Sequence, residues 1–196
     1  MTVARVPQEE RTRLMRARLL DATADLLVER GFGGTTTTLV CERAGVSRGA
    51  LLHHFPSKNA LVVAAIDHVM EARGAELAAA VRRRQPRDTR AVLQLLAGLV
   101  TSKVFTAALE LWVAARTDEV LQHAVGPLEQ RIGRETHRLT VELLGADESR
   151  PGVRELVQAT LDLMRGLALA ATLSDDTRRR GRILDQWAAV LDKELA

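Results

Sequence analysis

Residues 36–58, TTTLVCERAGVSRGALLHHFPSK, contain two short helical patterns separated by a tight turn. Thr36 is suited to cap the first helix, because its hydroxyl can accept a hydrogen bond from a free backbone N–H. The buried side of this helix would carry small and apolar residues, namely Val40, Cys41 and Ala44. At Gly45 the chain must turn sharply, and glycine adopts a positive φ without steric cost.

The second helix of this segment would begin after Ser47, another residue type that caps helices. Val46 would fill the corner between the two helices, and Leu51 and Phe55, four residues apart, would return to the core on one face. Two short helices joined by a brief turn containing glycine are typical of a helix-turn-helix, whose second helix lies in the major groove of DNA. The alternative is a helical hairpin that only packs against its neighbours.

The outer side of the second helix carries the residues expected to read bases. Arg48 can donate two hydrogen bonds to guanine O6 and N7, and its alternative role is a phosphate contact alone. Gly49 and Ala50 lack bulk, so the helix can sit deep in the groove. His53 either faces the bases or remains solvated.

Other polar residues of the segment are placed to hold phosphates, which fix the register of a protein on DNA without reading its sequence. Thr38, His54 and Lys58 are the candidates for this role. The complete predicted DNA-binding set is Thr36, Thr38, Ser47, Arg48, Gly49, Ala50, Leu52, His53, His54 and Lys58.

Helical periodicity extends outward from the motif in both directions. Residues 9–30 predict a preceding helix that ends at Gly31, and residues 58–83 predict one long helix afterwards. Proline and glycine then divide the remainder into helices near 88–101, 103–116, 118–144, 152–174 and 177–195. The prediction is an all-α protein of about nine helices, with a helix-turn-helix domain over 9–58 and a second helical domain over 59–196.

The composition and the charge distribution agree with the prediction of an all-α protein with a DNA-binding segment. The chain has 196 residues, 46% of them hydrophobic and only 3% aromatic, which favours a helical core over a β-sandwich. Residues 1–58 hold nine Lys and Arg against six Asp and Glu, whereas residues 59–196 hold nineteen of each. A basic segment over residues 1–58, followed by a neutral remainder, favours a polyanion as the binding partner.

Several classes of protein are disfavoured by the same composition. The single cysteine excludes an internal disulfide, and no Cys/His set has zinc-finger spacing, so no metal or cofactor is expected. No apolar run reaches roughly 18 residues, and the N-terminus lacks the apolar stretch of a signal peptide, so a cytoplasmic protein is expected. No nucleophile elbow, phosphate-cradling glycine loop or paired metal ligands are present in the sequence, so we do not expect an enzyme.

Residues 31–61, GFGGTTTTLVCERAGVSRGALLHHFPSKNAL, closely resemble the DNA-binding head of the TetR family of transcriptional regulators. The positions that correspond to the family pattern are Gly31-Phe32, Thr35-Thr36, Val40-Cys41, Ala44 to Ser47, Gly49, Leu51-Leu52, His54-Phe55, Lys58 and Leu61. Two positions depart from the family pattern. Leu52 stands where the family usually has a tyrosine that contacts the DNA backbone, and Leu39 stands where an acidic residue often completes a helix cap.

The resemblance implies that residues 59–196 bind a small molecule and dimerise. Apolar residues recur every three or four positions over 152–174 and 177–195, which suits a four-helix bundle formed across a two-fold axis. The alternative is that these stripes cover only the protein's own core. The ligand-binding candidates, each of which has a plain core or solvent-facing alternative, are Ile66, Met70, Leu96, Val100, Phe105, Leu109, Glu110, Trp112, Met164 and Leu167.

The function implied by the resemblance is a ligand-responsive transcriptional regulator. It would be a repressor that binds a pseudo-palindromic DNA operator as a homodimer. A small, largely apolar effector would release it by swinging the helix over 58–83. The alternative is a constitutive or architectural DNA-binding protein without an effector. The identity of the effector, the operator sequence and the choice between repression and activation are left open.

Overall fold

In the computed structural model, which describes residues 7–84, 88–100 and 103–196, every regular element is an α-helix. Nine helices are formed over these ranges: α1 (Gln8–Gly34), α2 (Thr37–Ala44), α3 (Arg48–His54), α4 (Lys58–Arg84), α5 (Thr89–Val100), α6 (Lys103–Ala115), α7 (Glu119–Leu144), α8 (Val153–Ala171) and α9 (Thr177–Leu195). The predicted all-α fold with an N-terminal helix-turn-helix is confirmed. Within the same ranges, no helix is both long and apolar enough to cross a membrane.

The chain divides into two compact units. The first comprises the described residues within Met1–Ala72 and Ala107–Leu128, and the second those within Arg73–Thr106 and Glu129–Ala196. The first unit therefore contains the whole of the predicted DNA-binding head, 9–58, together with segments that follow it much later in the chain. The functional division at residue 58 stays a prediction.

One core cluster of the first unit is built from α1 to α4. Apolar side chains from all four helices meet there and are almost fully buried: Leu19, Leu20, Ala22, Leu26, Val40, Ala44, Leu51, Phe55, Leu61 and Ala65. Leu51 is the only buried residue among the seven of α3. The packing of this helix against the core therefore depends mainly on that one side chain.

The first helix is interrupted at Gly31, where the sequence predicted its end. Gly31 has φ 65° and ψ −179°, and helical turns resume beyond it as far as Gly34. The Thr35 hydroxyl donates to the Gly31 carbonyl at 2.8 Å, which closes this short extension. A Cβ at Gly31 would lie 2.7 Å from a carboxylate oxygen of Glu110, the far end of a flexible side chain that can move aside, so it is the positive φ that requires glycine here.

The second unit has a separate core formed by α5, α8 and α9. Its buried residues are Val92, Leu93, Leu96, Ala97, Met164, Leu167, Leu184, Ala188 and Leu191. The helix α8 ends at Ala171, three residues before its predicted end. The Thr172 hydroxyl donates to the Leu169 carbonyl at 2.7 Å, and Asp175 accepts from the Thr177 N–H at 3.0 Å to begin α9. These local bonds favour a turn over further helix.

A polar contact crosses this second core between α8 and α9. The Trp187 indole N–H donates to the hydroxyl of the buried Thr160 at 2.9 Å, and that hydroxyl in turn donates to the Leu156 carbonyl at 2.9 Å. The hydroxyl therefore acts as acceptor and donor at once, which satisfies two groups that packing removes from water.

Replacing Thr160 with valine is expected to lower the free energy of unfolding by about 1–2 kcal/mol, because the indole N–H would keep its place but lose its acceptor. Denaturant unfolding followed by far-UV circular dichroism measures this difference. Thr160→Ser, which retains the hydroxyl, is the matched control and should lose less stability. A loss in Thr160→Ser as large as that in Thr160→Val would contradict this prediction, because it would show that the methyl group, which valine keeps and serine lacks, contributes as much as the hydroxyl.

Candidate DNA-binding surface

The turn between α2 and α3 has the geometry that the sequence predicts. Gly45 adopts φ 63° and ψ 43°, the left-handed region that favours glycine. Its N–H donates to the Glu42 carbonyl at 3.3 Å, and the Val46 N–H donates to the Cys41 carbonyl at 3.0 Å. These bonds complete the end of α2 and redirect the chain within three residues into α3.

Both helices of the motif begin with the predicted side-chain caps. The Thr36 hydroxyl accepts from the Leu39 N–H at 3.3 Å, and the Ser47 hydroxyl accepts from the Ala50 N–H at 3.2 Å. No acidic residue lies in the first turn of α2. Thr36 and Ser47 thus define where α2 and α3 start, which fixes which residues of α3 can face a groove.

The outer face of α3 is open to solvent. Arg48, Gly49, Leu52 and His53 are exposed, and Ala50 is partly buried. A Cβ built on Gly49 would meet no atom within 4 Å, so this end of the helix has free space around it. Beside it lies an open cleft of about 420 Å³ lined by Thr38, Cys41, Glu42, Gly45, Val46 and Arg48.

The residues predicted to hold phosphates differ in their surroundings. Thr38 is exposed and His54 is partly buried. The Lys58 ammonium donates to the Phe32 carbonyl at 2.6 Å and lies 4.1 Å from the centre of the Phe32 ring. Burial lowers the pKa of Lys58 from its ordinary value. Lys58 therefore holds the start of α4 to the end of α1, and two N–H donors of its ammonium are left for another acceptor.

Arg18 is a residue of this surface that the sequence pattern did not single out. Its guanidinium donates through Nη2 to the carbonyls of Ala44 and Gly45. Arg18 lies on α1, 26 residues before Ala44, and helical periodicity groups it with the apolar positions of α1 without indicating a partner. Only the packing of α1 against the end of α2 brings these groups together.

The ligand-binding candidates are spread over both units. In the first unit, Ile66 is buried, Met70, Leu109 and Trp112 are partly buried, and Glu110 is exposed. In the second, Leu96, Met164 and Leu167 belong to one buried core cluster, and Phe105 is partly buried. The Val100 side chain lies outside the described residues. The assignment of these residues to a ligand site stays a prediction.

A capped two-helix motif with a glycine turn, an open outer face and a basic segment defines the class of helix-turn-helix DNA-binding proteins. The family model described as "Bacterial regulatory proteins, tetR family" matches residues 19–65. The HTH-type transcriptional regulator BetI of Pseudomonas aeruginosa is 30% identical over 198 residues, covering 93% of this chain and 94% of BetI. The chain belongs to the TetR family of transcriptional regulators; it is a DNA-binding regulator and not an enzyme.

Solved structures have the same fold. A transcriptional regulator from Rhodococcus superposes with a TM-score of 0.75 at 23% identity, covering 91% of this chain and 96% of that one. A transcriptional regulator from Saccharomonospora viridis, crystallised in complex with choline, superposes with a TM-score of 0.67 at 16% identity, covering 88% of this chain and 94% of that one. At these identities the likeness concerns the fold.

Proposed function

We propose that this regulator is a repressor that binds a pseudo-palindromic operator as a homodimer. In this proposal, α3 of each subunit enters a major groove and Arg48 reads a guanine. Gly49 and Ala50 leave room for the helix to sit deep in the groove, and Thr38, His54 and Lys58 hold phosphates that fix its register. The exposed outer face of α3, held by the Ser47 cap and the buried Leu51, is the observation that carries the proposal.

The proposed dimer uses α8 and α9 of the second unit. Leu169 is 54% exposed and Leu173 is 94% exposed, and the two leucines stand four residues apart around the C-terminal end of α8, where a second copy could cover both. Small exposed residues, Ala159 and Gly166 on α8 and Ala189 on α9, would allow a second copy to approach closely. Two subunits would then present two α3 helices at roughly 34–36 Å, the spacing of successive major grooves.

We further propose that a small, largely apolar effector releases the DNA. The choline complex of the Saccharomonospora viridis regulator is a precedent for a small-molecule ligand on this fold. The proposed route runs through α4, which begins directly after α3. Release requires that the effector bind more tightly to the DNA-free arrangement, since equal affinity for both arrangements shifts no equilibrium.

Selection from random duplex DNA by the purified protein tests the operator proposal. We expect an enriched inverted repeat at both of two salt concentrations between about 50 and 200 mM. Loss of all enrichment at the higher salt, with only sequence-blind binding below it, would contradict the proposal.

A metabolite screen tests the effector proposal. Compounds that raise the melting temperature of the protein should also release the selected duplex. A screen without such compounds would favour a constitutive DNA-binding protein.

The dimer proposal predicts a specific effect of charge at the exposed leucines. The double substitution Leu169→Glu and Leu173→Glu should convert the protein to a monomer, because two carboxylates would have to be buried at each copy of the interface. Size-exclusion chromatography with light scattering measures the mass. Val120→Glu alters a valine that is 72% exposed in the first unit and should leave the mass unchanged. A double variant that keeps the wild-type mass would exclude this interface.

A further inference from the structure

One charged side chain of α1 donates hydrogen bonds to the backbone at the turn of the helix-turn-helix. Arg18 donates through Nη2 to the carbonyl of Ala44, the last residue of α2, and to that of Gly45 at 3.3 Å. A Cβ at Gly45 would lie 3.1 Å from the same nitrogen, so the guanidinium sits directly against the backbone of the turn.

These carbonyls are groups that the turn itself does not satisfy. The last carbonyls of a helix have no partner within the helix. The N–H groups of Gly45 and Val46 are directed to the carbonyls of Glu42 and Cys41, further back in α2. Arg18 supplies donors for the carbonyls that follow, and its positive charge is favourable at the C-terminal end of a helix dipole.

The orientation of α3 depends strongly on this turn. Leu51 is the buried side chain of the helix, and only Gly45, Val46 and Ser47 connect α3 to α2. A change in the backbone angles at Ala44 or Gly45 would redirect α3 and move Arg48, its first residue. A contact that restricts those angles therefore helps to set the position from which Arg48 approaches DNA.

We infer that Arg18 is a positioning residue for sequence-specific DNA binding. It holds the turn in the geometry in which Arg48 reaches base edges, without touching DNA itself. Without Arg18, a smaller fraction of the molecules has the geometry that binds DNA. The observed affinity falls in proportion to that fraction. This inference rests on the operator-reading role proposed above.

A direct phosphate contact by Arg18 predicts a different pattern. Loss of a phosphate contact weakens binding to all sequences and reduces the slope of log affinity against log salt by about one for each contact. Loss of a positioning residue leaves that slope unchanged and lowers the preference for the operator over unrelated DNA. The two roles are therefore distinguished by salt dependence and by specificity.

The experiment compares Arg18→Met and Arg18→Lys with the wild type. Each protein is titrated against the duplex that the wild type enriches from random DNA and against a scrambled duplex, at salt concentrations between about 50 and 200 mM. We expect Arg18→Met to bind the enriched duplex about tenfold more weakly, the factor that corresponds to one charge-assisted hydrogen bond, with the salt slope unchanged. Arg18→Lys keeps the charge and a donor and should restore most of the affinity.

Arg43→Met is the matched control. Arg43 also ties α2 to α1, but it does so through the Glu29 carboxylate at 2.7 and 2.8 Å and not through the turn backbone. Arg43→Met removes the same charge as Arg18→Met. We expect it to keep the wild-type ratio between the affinity for the enriched duplex and the affinity for the scrambled duplex. Far-UV circular dichroism and melting temperatures establish that every variant is folded during the titration.

Three outcomes would overturn the inference. A salt slope reduced in Arg18→Met would assign Arg18 to a phosphate. A lower melting temperature with unchanged DNA affinity would make Arg18 a stabilising residue only. A loss of specificity in Arg43→Met equal to that in Arg18→Met would show that any missing charge has this effect. Failure of the wild type to enrich any sequence would instead refute the operator proposal, and the inference with it.

Discussion

We expect Arg48→Ala to lower affinity for the proposed operator by about 1–3 kcal/mol for each half-site, because each subunit of the proposed dimer would lose a bidentate contact to guanine. Arg48 is the first residue of α3, is exposed, and stands beside free space at Gly49. The loss should be confined to one base pair of each half-site. Fluorescence anisotropy with a series of duplexes, each changed at one position, measures both the affinity and the position whose identity no longer matters.

Arg48→Lys is the control for this substitution. Lysine keeps the positive charge but cannot form the planar pair of hydrogen bonds that the guanidinium makes. If Arg48 reads a base, both variants relax specificity at the same position. If Arg48 contacts only a phosphate, Arg48→Lys binds almost as the wild type does, and Arg48→Ala binds every duplex more weakly with a reduced salt slope.

Leu51→Ala is expected to destabilise the first unit by about 2–5 kcal/mol, the usual cost of truncating a buried leucine. Leu51 is fully buried and is the buried side chain of a seven-residue helix, so no other residue of α3 compensates for it. The adjacent Leu52 is 49% exposed. Leu52→Ala should therefore change the free energy of unfolding by no more than about 0.5 kcal/mol.

Denaturant unfolding of the two variants measures this contrast. The comparison is stringent because the residues are identical in type, adjacent in sequence and opposite in burial. Similar losses for Leu51→Ala and Leu52→Ala would mean that α3 is rotated about its axis relative to the arrangement described above. The face that carries Arg48 and His53 would then have to be assigned again.

The DNA-binding head could be predicted from the sequence because its determinants are local. Thr36 and Ser47 each cap a helix through an N–H three residues later, and Gly45 takes its left-handed conformation within one turn. Each of these choices is visible in a short window of sequence. The helices and the motif therefore followed from residue type and spacing.

Contacts between residues distant in the chain could not be predicted in this way. Arg18 and Ala44 are 26 residues apart, as are Phe32 and Lys58. The sequence around one residue of such a pair does not indicate which distant residue it contacts. Ligand walls pose a different difficulty, because core and pocket use the same apolar side chains. Leu96 and Met164 are buried together in a core cluster, and their composition alone does not separate packing from recognition.

The distribution of aromatic residues gives this protein a built-in optical reporter for each of its units. The chain has no tyrosine and two tryptophans. Trp112 lies in the first unit, and Trp187 lies in the second, where its indole N–H is held by Thr160. Fluorescence from a variant that retains one tryptophan therefore reports on one unit alone, without a tyrosine background. Two such variants would show whether the units unfold together, and which of them responds first when DNA or a small molecule is added.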